Sequence, residues 1–411
     1  MIHLKKPKFF ISLVTWILLL INAGAALDFL TISDIHLNKN QKHVMTLEPS
    51  GFNEDNDMDL QSLFKLSHAI KQNIGLGQLI PSPPAFVIYL GDIVGHQRKW
   101  DNNRTILVEG NERVVYSTLQ ELFPATPIIS IFGNNDSFEK NYGKFTFKGM
   151  SPYETAVHSG FENGFLSTGK ICNDGTSISF PCISSQNRLH GCFSIKIQKK
   201  LLLIGLNTVI FSPFANAKPQ QANIQMKYLK RELELADAND MSVLIAMHIP
   251  VGVNGYDGSS FWKKRYQDTF LKLIRYYHNR IIGVLVSHTH MEEFKIIRTP
   301  GSSDIGEFFT AGMSTSHGNS PSLKVFELQN QIDHWVIHNY ITYQFHDKDD
   351  GEIVMSKYYD FANTYCESIP NLVNINSCLS QIQFNQTISR FTVGNPNFDQ
   401  KITSPQSFYV N

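Results

Sequence analysis

Six short apolar runs punctuate the chain up to residue 286: Asp28–Ile32, Ala85–Leu90, Pro127–Phe132, Leu201–Leu206, Ser242–Met247 and Ile281–Val286. Their length and their wealth of Val, Ile, Leu and Phe predict buried strands. Between them, apolar residues fall at helical spacing over Leu60–Gln72, Gln225–Ala236 and Tyr266–Tyr277, which predicts three amphipathic helices. Strands alternating with helices predict an α/β protein rather than a bundle or a sandwich of hairpins. Residues 151–200 are looser, with Gly, Ser, Asn and three Cys, and predict an excursion whose strands pair later. Beyond about residue 330 the alternation stops. The expected division is therefore a main domain over 26–330 and a smaller C-terminal subdomain over 331–411.

The N-terminus carries Lys5, Lys6 and Lys8, an apolar run from Phe9 to Ile21, and then Asn22-Ala23-Gly24-Ala25-Ala26. A basic flank, a short apolar run and a small-residue site predict a secretory signal peptide over 1–25, cleaved after Ala25. The run is too short for a spanning helix, which needs about 20 apolar residues. No later stretch is long and apolar enough either, so the expected product is secreted, with no stable membrane span after processing.

Charge narrows the picture further. Thirty-six Lys+Arg balance thirty-six Asp+Glu, charged residues make up 18% and hydrophobic ones 42%. This excludes a generally basic binder of nucleic-acid polymers and a long disordered acidic chain. Five Cys are too few for a disulfide-built scaffold. Closeness in a loop-rich tail predicts a Cys366–Cys378 bridge, and Cys172, Cys182 and Cys192 supply at most one more pair.

The chemistry lies where the strands end. Five runs lead into polar clusters: Ser33-Asp34-Ile35-His36, Gly91-Asp92-Ile93-Val94-Gly95-His96, Gly133-Asn134-Asn135-Asp136, His248-Ile249-Pro250 and Ser287-His288-Thr289-His290. Sites in open α/β sheets sit outside the carboxyl ends of the strands, so the five clusters are expected to converge in one crevice. Asp34 and His36 are two apart, as are His288 and His290, so extended backbone aims each pair to one side. Carboxylate, amide and imidazole donors without a thiolate suit Zn, Mn or Fe, and a shared carboxylate suits a two-metal site. Asp92 is the bridging candidate, and the Gly before it allows a sharp turn off the strand.

The order D-x-H, GD, GN, H, HTH resembles the calcineurin-like metallophosphoesterase superfamily over roughly residues 27–330, and within it the acid sphingomyelinase-like phosphodiesterases. The His four places after Asp92 with Trp100 beyond, Leu206-Asn207-Thr208, the run Gln225 to Leu229 leading to His248-Ile249-Pro250-Val251-Gly252, and Glu293-Phe294 after the HTH block carry that closer likeness. So does a long tail bearing Cys366 and Cys378. The resemblance implies a two-sheet α/β sandwich flanked by helices and two divalent metal ions, with zinc the first guess. It implies that Asp34, His36 and His290 hold one ion, that Asn134, His248 and His288 hold the other, and that Asp92 holds both. A hydroxide bridging the ions would attack phosphorus, with His96 as the acid that protonates the leaving oxygen. Two departures stand out: Ser287 replaces the usual Gly before the HTH block, and Asn135 occupies the place of a catalytic His. An amide there can donate a hydrogen bond to a phosphate oxygen but not a useful proton.

The expected function is a secreted phosphodiesterase acting on a small phosphodiester, a nucleotide or a phospholipid headgroup. A phosphomonoesterase or nucleotidase on the same fold is the alternative, and a catalytically impaired metal-binding module is a third reading. With the first site strand beginning almost at the cleavage position, no room is left for a lipid-lifting saposin segment, which points away from bilayer sphingomyelin. Sequons at Asn103 and Asn385 are open to glycosylation in a eukaryotic secretory route, whereas the one at Asn135 lies within the site.

Overall fold

The computed structural model describes residues 26–47, 53, 56–96, 103–154, 169–172, 180–215, 217–383 and 408–411. The signal peptide expected over 1–25, Trp100 and the sequon at Asn385 lie outside the described residues. Among those described, no helix is long and apolar enough to cross a membrane.

The chain opens with β1 (Ala26–Ile32), β2 (Phe86–Tyr89) and β3 (Ile128–Ser130), which pair in parallel in one sheet. The chain then crosses to a second sheet and supplies β4 (Cys182–Asn187), β5 (Cys192–Gln198), β6 (Leu201–Leu206), β7 (Ser242–Met247), β8 (Ile281–Val286), β9 (Phe294–Ile297) and β10 (Ile305–Phe309). It returns to the first sheet for β11 (Ser322–Asn330), β12 (Trp335–Asp347) and β13 (Ile353–Asp360), and closes on the second with β14 (Tyr409–Val410). The orders are β13-β12-β11-β1-β2-β3 and β14-β9-β10-β8-β7-β6-β5-β4. All six strands read from the sequence are present.

Helices α1 (Leu60–Gln72) and α2 (Arg104–Leu122) cover the first sheet, and α3 (Pro219–Ala238) and α4 (Lys264–Tyr276) the second. The period-two alternation of the strands explains how one sheet serves two cores. Phe29, Phe86 and Ile88 face the second sheet, whereas Leu30, Val87 and Tyr89 face α1 and α2. Phe29 stacks on Phe86 at 4.7 Å and on Phe326 at 4.9 Å, tying β1 to both neighbours.

Helix α2 has no counterpart among the expected helices, because its buried face is partly polar. Arg104, Asn111 and Glu112 are buried on it, so the apolar periodicity is weak. Arg104 donates to the carbonyls of Ser137 at 2.8 Å and Asn135 at 2.7 Å, which anchors the loop after β3.

Within the segment expected as a subdomain, over 331–411, the described strands join both sheets. β11 and β12 pair antiparallel across a four-residue turn, β12 pairs with β13, and β14 adds to the second sheet. The segment thus completes the two sheets and shares their core, through Tyr340, Tyr359, Phe361, Ile375 and Leu379. Antiparallel strands need no crossover helix, so the strand and helix alternation lapses there. A disulfide joins Cys366 to Cys378 and another joins Cys172 to Cys182, and Cys192 is a buried thiol.

Candidate metal centre

The loops after β1, β2, β3, β7 and β8 converge at the carboxyl edge of both sheets, bringing together all nine residues singled out above. Asp34 N–H donates to Gly91 O at 2.9 Å and His36 N–H to Asp92 O at 3.0 Å, so the first two loops are laced by backbone. Asp34, His36, Asp92, His288 and His290 have φ between 47° and 76°, a left-handed conformation that costs non-glycine residues free energy and persists only where the surroundings impose it. Gly91 and Gly133 permit the approach of two loops: a Cβ on Gly91 would lie 2.7 Å from Gly133 N, and one on Gly133 would lie 2.2 Å from Asp92 N.

Among the described residues three donor groups result: two triads that meet at Asp92, namely Asp34–His36–His290 and Asp92–His248–His288, and the group His36–Asp57–His96 beside the first. In the first, His290 Nε2 lies 3.1 Å from His36 Nε2 and 3.4 Å from Asp34 Oδ1. In the second, Asp92 Oδ2 lies 3.4 Å from His248 Nε2, and that nitrogen is 3.0 Å from Asn134 Oδ1. Asp92 Oδ2 is also 3.4 Å from His36 Nε2, so it faces both triads. Donors each about 2.1 Å from a common ion stand roughly 3.0–3.4 Å apart, depending on the angle between them. Asp34 Oδ1 is buried, has no hydrogen-bond partner among the described residues and faces two imidazole nitrogens. A divalent cation satisfies such a donor set, and the residues present fit two of them.

Outer contacts aim the donors. His248 Nδ1–H donates to Leu90 O at 2.8 Å, which turns Nε2 inward. Asn134 Nδ2 donates to Asn141 Oδ1 at 2.9 Å, leaving its own oxygen toward the site. Asp136 accepts from the N–H groups of Asp92, Ile93 and Gly133 at 3.0, 2.7 and 2.8 Å, pinning the second loop to the third. Ser287, the substitution for Gly, brings its hydroxyl onto Asp34 Oδ2.

Charge is shared out accordingly. Burial opposes ionisation of Asp34 and Asp92, yet His290 and His36 beside the first, and His248 and His36 beside the second, hold both carboxyls below the usual range. Burial and the neighbouring His248 bring His288 down to about 4, and burial with His36 brings His290 down to about 3. His248 goes the other way, raised to about 9 by Asp92 against the effect of burial. Each triad thus pairs an anionic carboxylate with at least one neutral imidazole, and a metal bound there competes with the protons of His36 and His248.

His96 sits at one end of this array. Its ring stacks on His36 at 4.5 Å, and Asp57 accepts its Nδ1–H at 2.8 Å and its backbone N–H at 2.7 Å. Asn135 is buried, with both its donors on Asp92. Sequence reasoning missed Asp57, Asn141 and His317; the ring of His317 lies 3.9 Å from that of His290 and 5.6 Å from that of His96. None of the three belongs to a strand-end motif. Only folding places them there.

A model of the calcineurin-like phosphoesterase family matches residues 27–292. Among known proteins, the chain is 23% identical over 299 residues to a Dictyostelium discoideum protein named sphingomyelinase phosphodiesterase D, covering 70% of this chain and 62% of that one. It is 22% identical to a cyclic GMP-AMP phosphodiesterase of Bos taurus, covering 59% of this chain and 53% of the relative. To the acid sphingomyelinase-like phosphodiesterase 3b of Homo sapiens it is 23% identical, covering 77% and 71%. The matches thus span just over half to about seven tenths of these relatives' length. A dimetal phosphatase from Danio rerio superposes with a TM-score of 0.44 at 11% identity, over 81% of this chain and 99% of that one.

Proposed function

The chain belongs to the calcineurin-like phosphoesterase family, and on that premise we propose that it is a secreted phosphodiesterase working with two divalent ions, zinc first among them. The observation that carries this reading is the position of Asp92 Oδ2, 3.4 Å from a nitrogen of each triad. Two ions held there would acidify a water near neutral pH and neutralise charge on the phosphoryl oxygens.

The chain's own residues supply the rest. Asp34, His36 and His290 hold one side of the substrate phosphate's seat, Asn134, His248 and His288 hold the other, and Asp92 joins them. As the bond from phosphorus to the leaving oxygen breaks, its electron pair departs with that oxygen, which must take up a proton. His96 is the donor in this reading: with Nδ1–H committed to Asp57, the proton comes from Nε2 of the imidazolium. Asn135 steadies Asp92 rather than serving as a second acid.

Two disulfides support an oxidising compartment, since such bonds persist outside the cytosol, and the N-terminal pattern agrees with export. The substrate in this reading is a small phosphodiester, a nucleotide or a phospholipid headgroup, as the names of the relatives suggest. Measuring metal content alongside hydrolysis of matched phosphodiesters and phosphomonoesters tests it. Two ions per chain with diester turnover is the expected result. Monoester turnover alone would establish the phosphatase alternative, and two bound ions with no turnover the impaired module.

A further inference from the structure

Beside the second triad lies a small cleft whose lining includes Lys140, Tyr142, Lys144, Phe145, His190 and Ile210. Tyr142 belongs to both the cleft and the site. Its Oη is 3.5 Å from His288 Nε2, and its backbone N–H donates to Asn134 O at 2.9 Å. Tyr142 also takes a φ of 56°, a conformation that a bulky residue keeps only where the fold enforces it. Phe214 packs against it with ring centroids 5.4 Å apart, yet is 73% exposed. Phe214 precedes the lining residue Ala215 in the chain, so its exposed ring stands next to the cleft beside Tyr142.

The charges in the cleft do not cancel. Glu139 lies 3.8 Å from Lys144 and answers it, whereas Lys140 makes no ion pair among the described residues. Burial holds His190 below its ordinary value, which favours the neutral imidazole. The walls of Phe145, Ile210 and Ala215 are apolar. Thr146, Asn207 and Gln221 add polar lining, so the cleft is mixed in polarity, with aromatic rings at Tyr142 and Phe145 and a net positive charge.

Its placement says which part of a substrate it meets. His96 stacks on His36 of the first triad, Tyr142 touches His288 of the second, and Asp92 stands between the triads. A phosphodiester seated at Asp92 with its leaving oxygen toward His96 turns its other ester arm toward Tyr142. We propose that the Tyr142–Phe214 cleft is a subsite for the ester arm that stays on phosphorus, that it selects a flat aromatic substituent, neutral or anionic, and that it disfavours a cationic headgroup such as choline. This rests on the phosphodiesterase reading and gives it a substrate preference.

The test holds the leaving group constant as p-nitrophenolate and varies the retained arm among methyl, phenyl and choline, using the purified full chain loaded with metal. We expect kcat/KM for the phenyl ester to exceed that for the methyl ester by about tenfold, the scale of one good aromatic contact, with the choline ester at or below methyl. Phe214→Ala should bring the phenyl-to-methyl ratio toward one, and Lys140→Glu should raise choline relative to phenyl. Equal wild-type rates for phenyl and methyl, a choline ester that is fastest, or ratios unmoved by both substitutions would overturn the proposal. A second readout is independent of turnover: calorimetric binding of phenyl phosphate, methyl phosphate and phosphocholine to chelator-treated and metal-loaded protein. Phenyl phosphate binding tightest, with its advantage lost in Phe214→Ala, supports the subsite even if no ester is hydrolysed, in which case the phosphodiesterase reading alone falls. Indifference to the substituent in binding sinks the subsite.

Discussion

Asn135 grips Asp92 twice, its backbone N–H reaching Oδ1 at 2.7 Å and its side-chain Nδ2 reaching Oδ2 at 3.0 Å. Both donors fall on the carboxylate that faces the two triads, so residue 135 orients Asp92. Removing such an outer contact typically costs 10–100-fold in metal affinity. Asn135→Ala is accordingly expected to weaken metal binding by about that factor, read by competition with a chromogenic chelator. Unchanged affinity would mean that Asp92 is held by its other contacts alone.

Asp92→Ala is expected to lose both ions or nearly so, because its Oδ2 faces both triads, whereas His290→Ala should chiefly lose one. Metal analysis of the two purified variants decides the matter. Loss of a single ion in each would contradict a bridging role for Asp92.

Replacing His96 should hurt poor leaving groups more than good ones, by roughly 10²–10⁴-fold where a proton must be supplied. His96→Ala should therefore steepen the dependence of rate on leaving-group pKa. Asp57→Asn should act in the same direction but more weakly, since it disturbs the partner of Nδ1 and leaves the imidazole in place. Asn135→His, which adds an imidazole beside the phosphate's seat, should flatten the dependence. A His96→Ala variant with the wild-type slope removes His96 from proton donation.

Glu307 is wholly buried, and burial pushes its carboxyl from 4.5 up to about 8 despite the opposing pull of Lys295. The folded chain thus retains a proton that the unfolded chain releases near 4.5. This contribution to stability is complete below 4.5 and is lost as the pH rises through about 8. Glu307→Gln cannot ionise and keeps an oxygen for the Val251 N–H, which Glu307 Oε1 accepts at 2.8 Å. Its melting temperature relative to wild type should therefore rise as the pH is raised across that window. A difference independent of pH would show that Glu307 does not titrate there.

Peptide mapping without reduction should recover Cys172 linked to Cys182 and Cys366 linked to Cys378. Cys192, fully buried in the core and with its thiol pushed up to about 12 by burial, should resist alkylation until the protein unfolds, because the thiolate is the reactive form. Rapid labelling of Cys192 in the native protein, or free thiols at Cys366 and Cys378, would contradict these assignments.

The local pattern determined much of this protein. Runs such as Leu201–Leu206 and Ile281–Val286 are buried at every position, so continuous apolarity announced them without help from the rest of the chain. The clusters at their ends were legible for a related reason: a strand's carboxyl terminus fixes where the next few side chains emerge, so Asp34, Asp92, Asn134, His248 and His288 could be placed in one crevice. Helix α2 was hidden, since Arg104 and Glu112 on its buried face break the apolar period and make sense only against the loop and core they meet. β12 and β13 were hidden as well, because an antiparallel return carries no helix to mark it. At the site, the partners from distant sequence were decided by folding alone. Asp57 reaches His96 across 39 residues, and His317 lies against His290 from a loop with no strand-end motif. Such contacts depend on how two sheets and their loops pack, and periodicity of two or 3.6 residues carries no information about which loop will lie beside which.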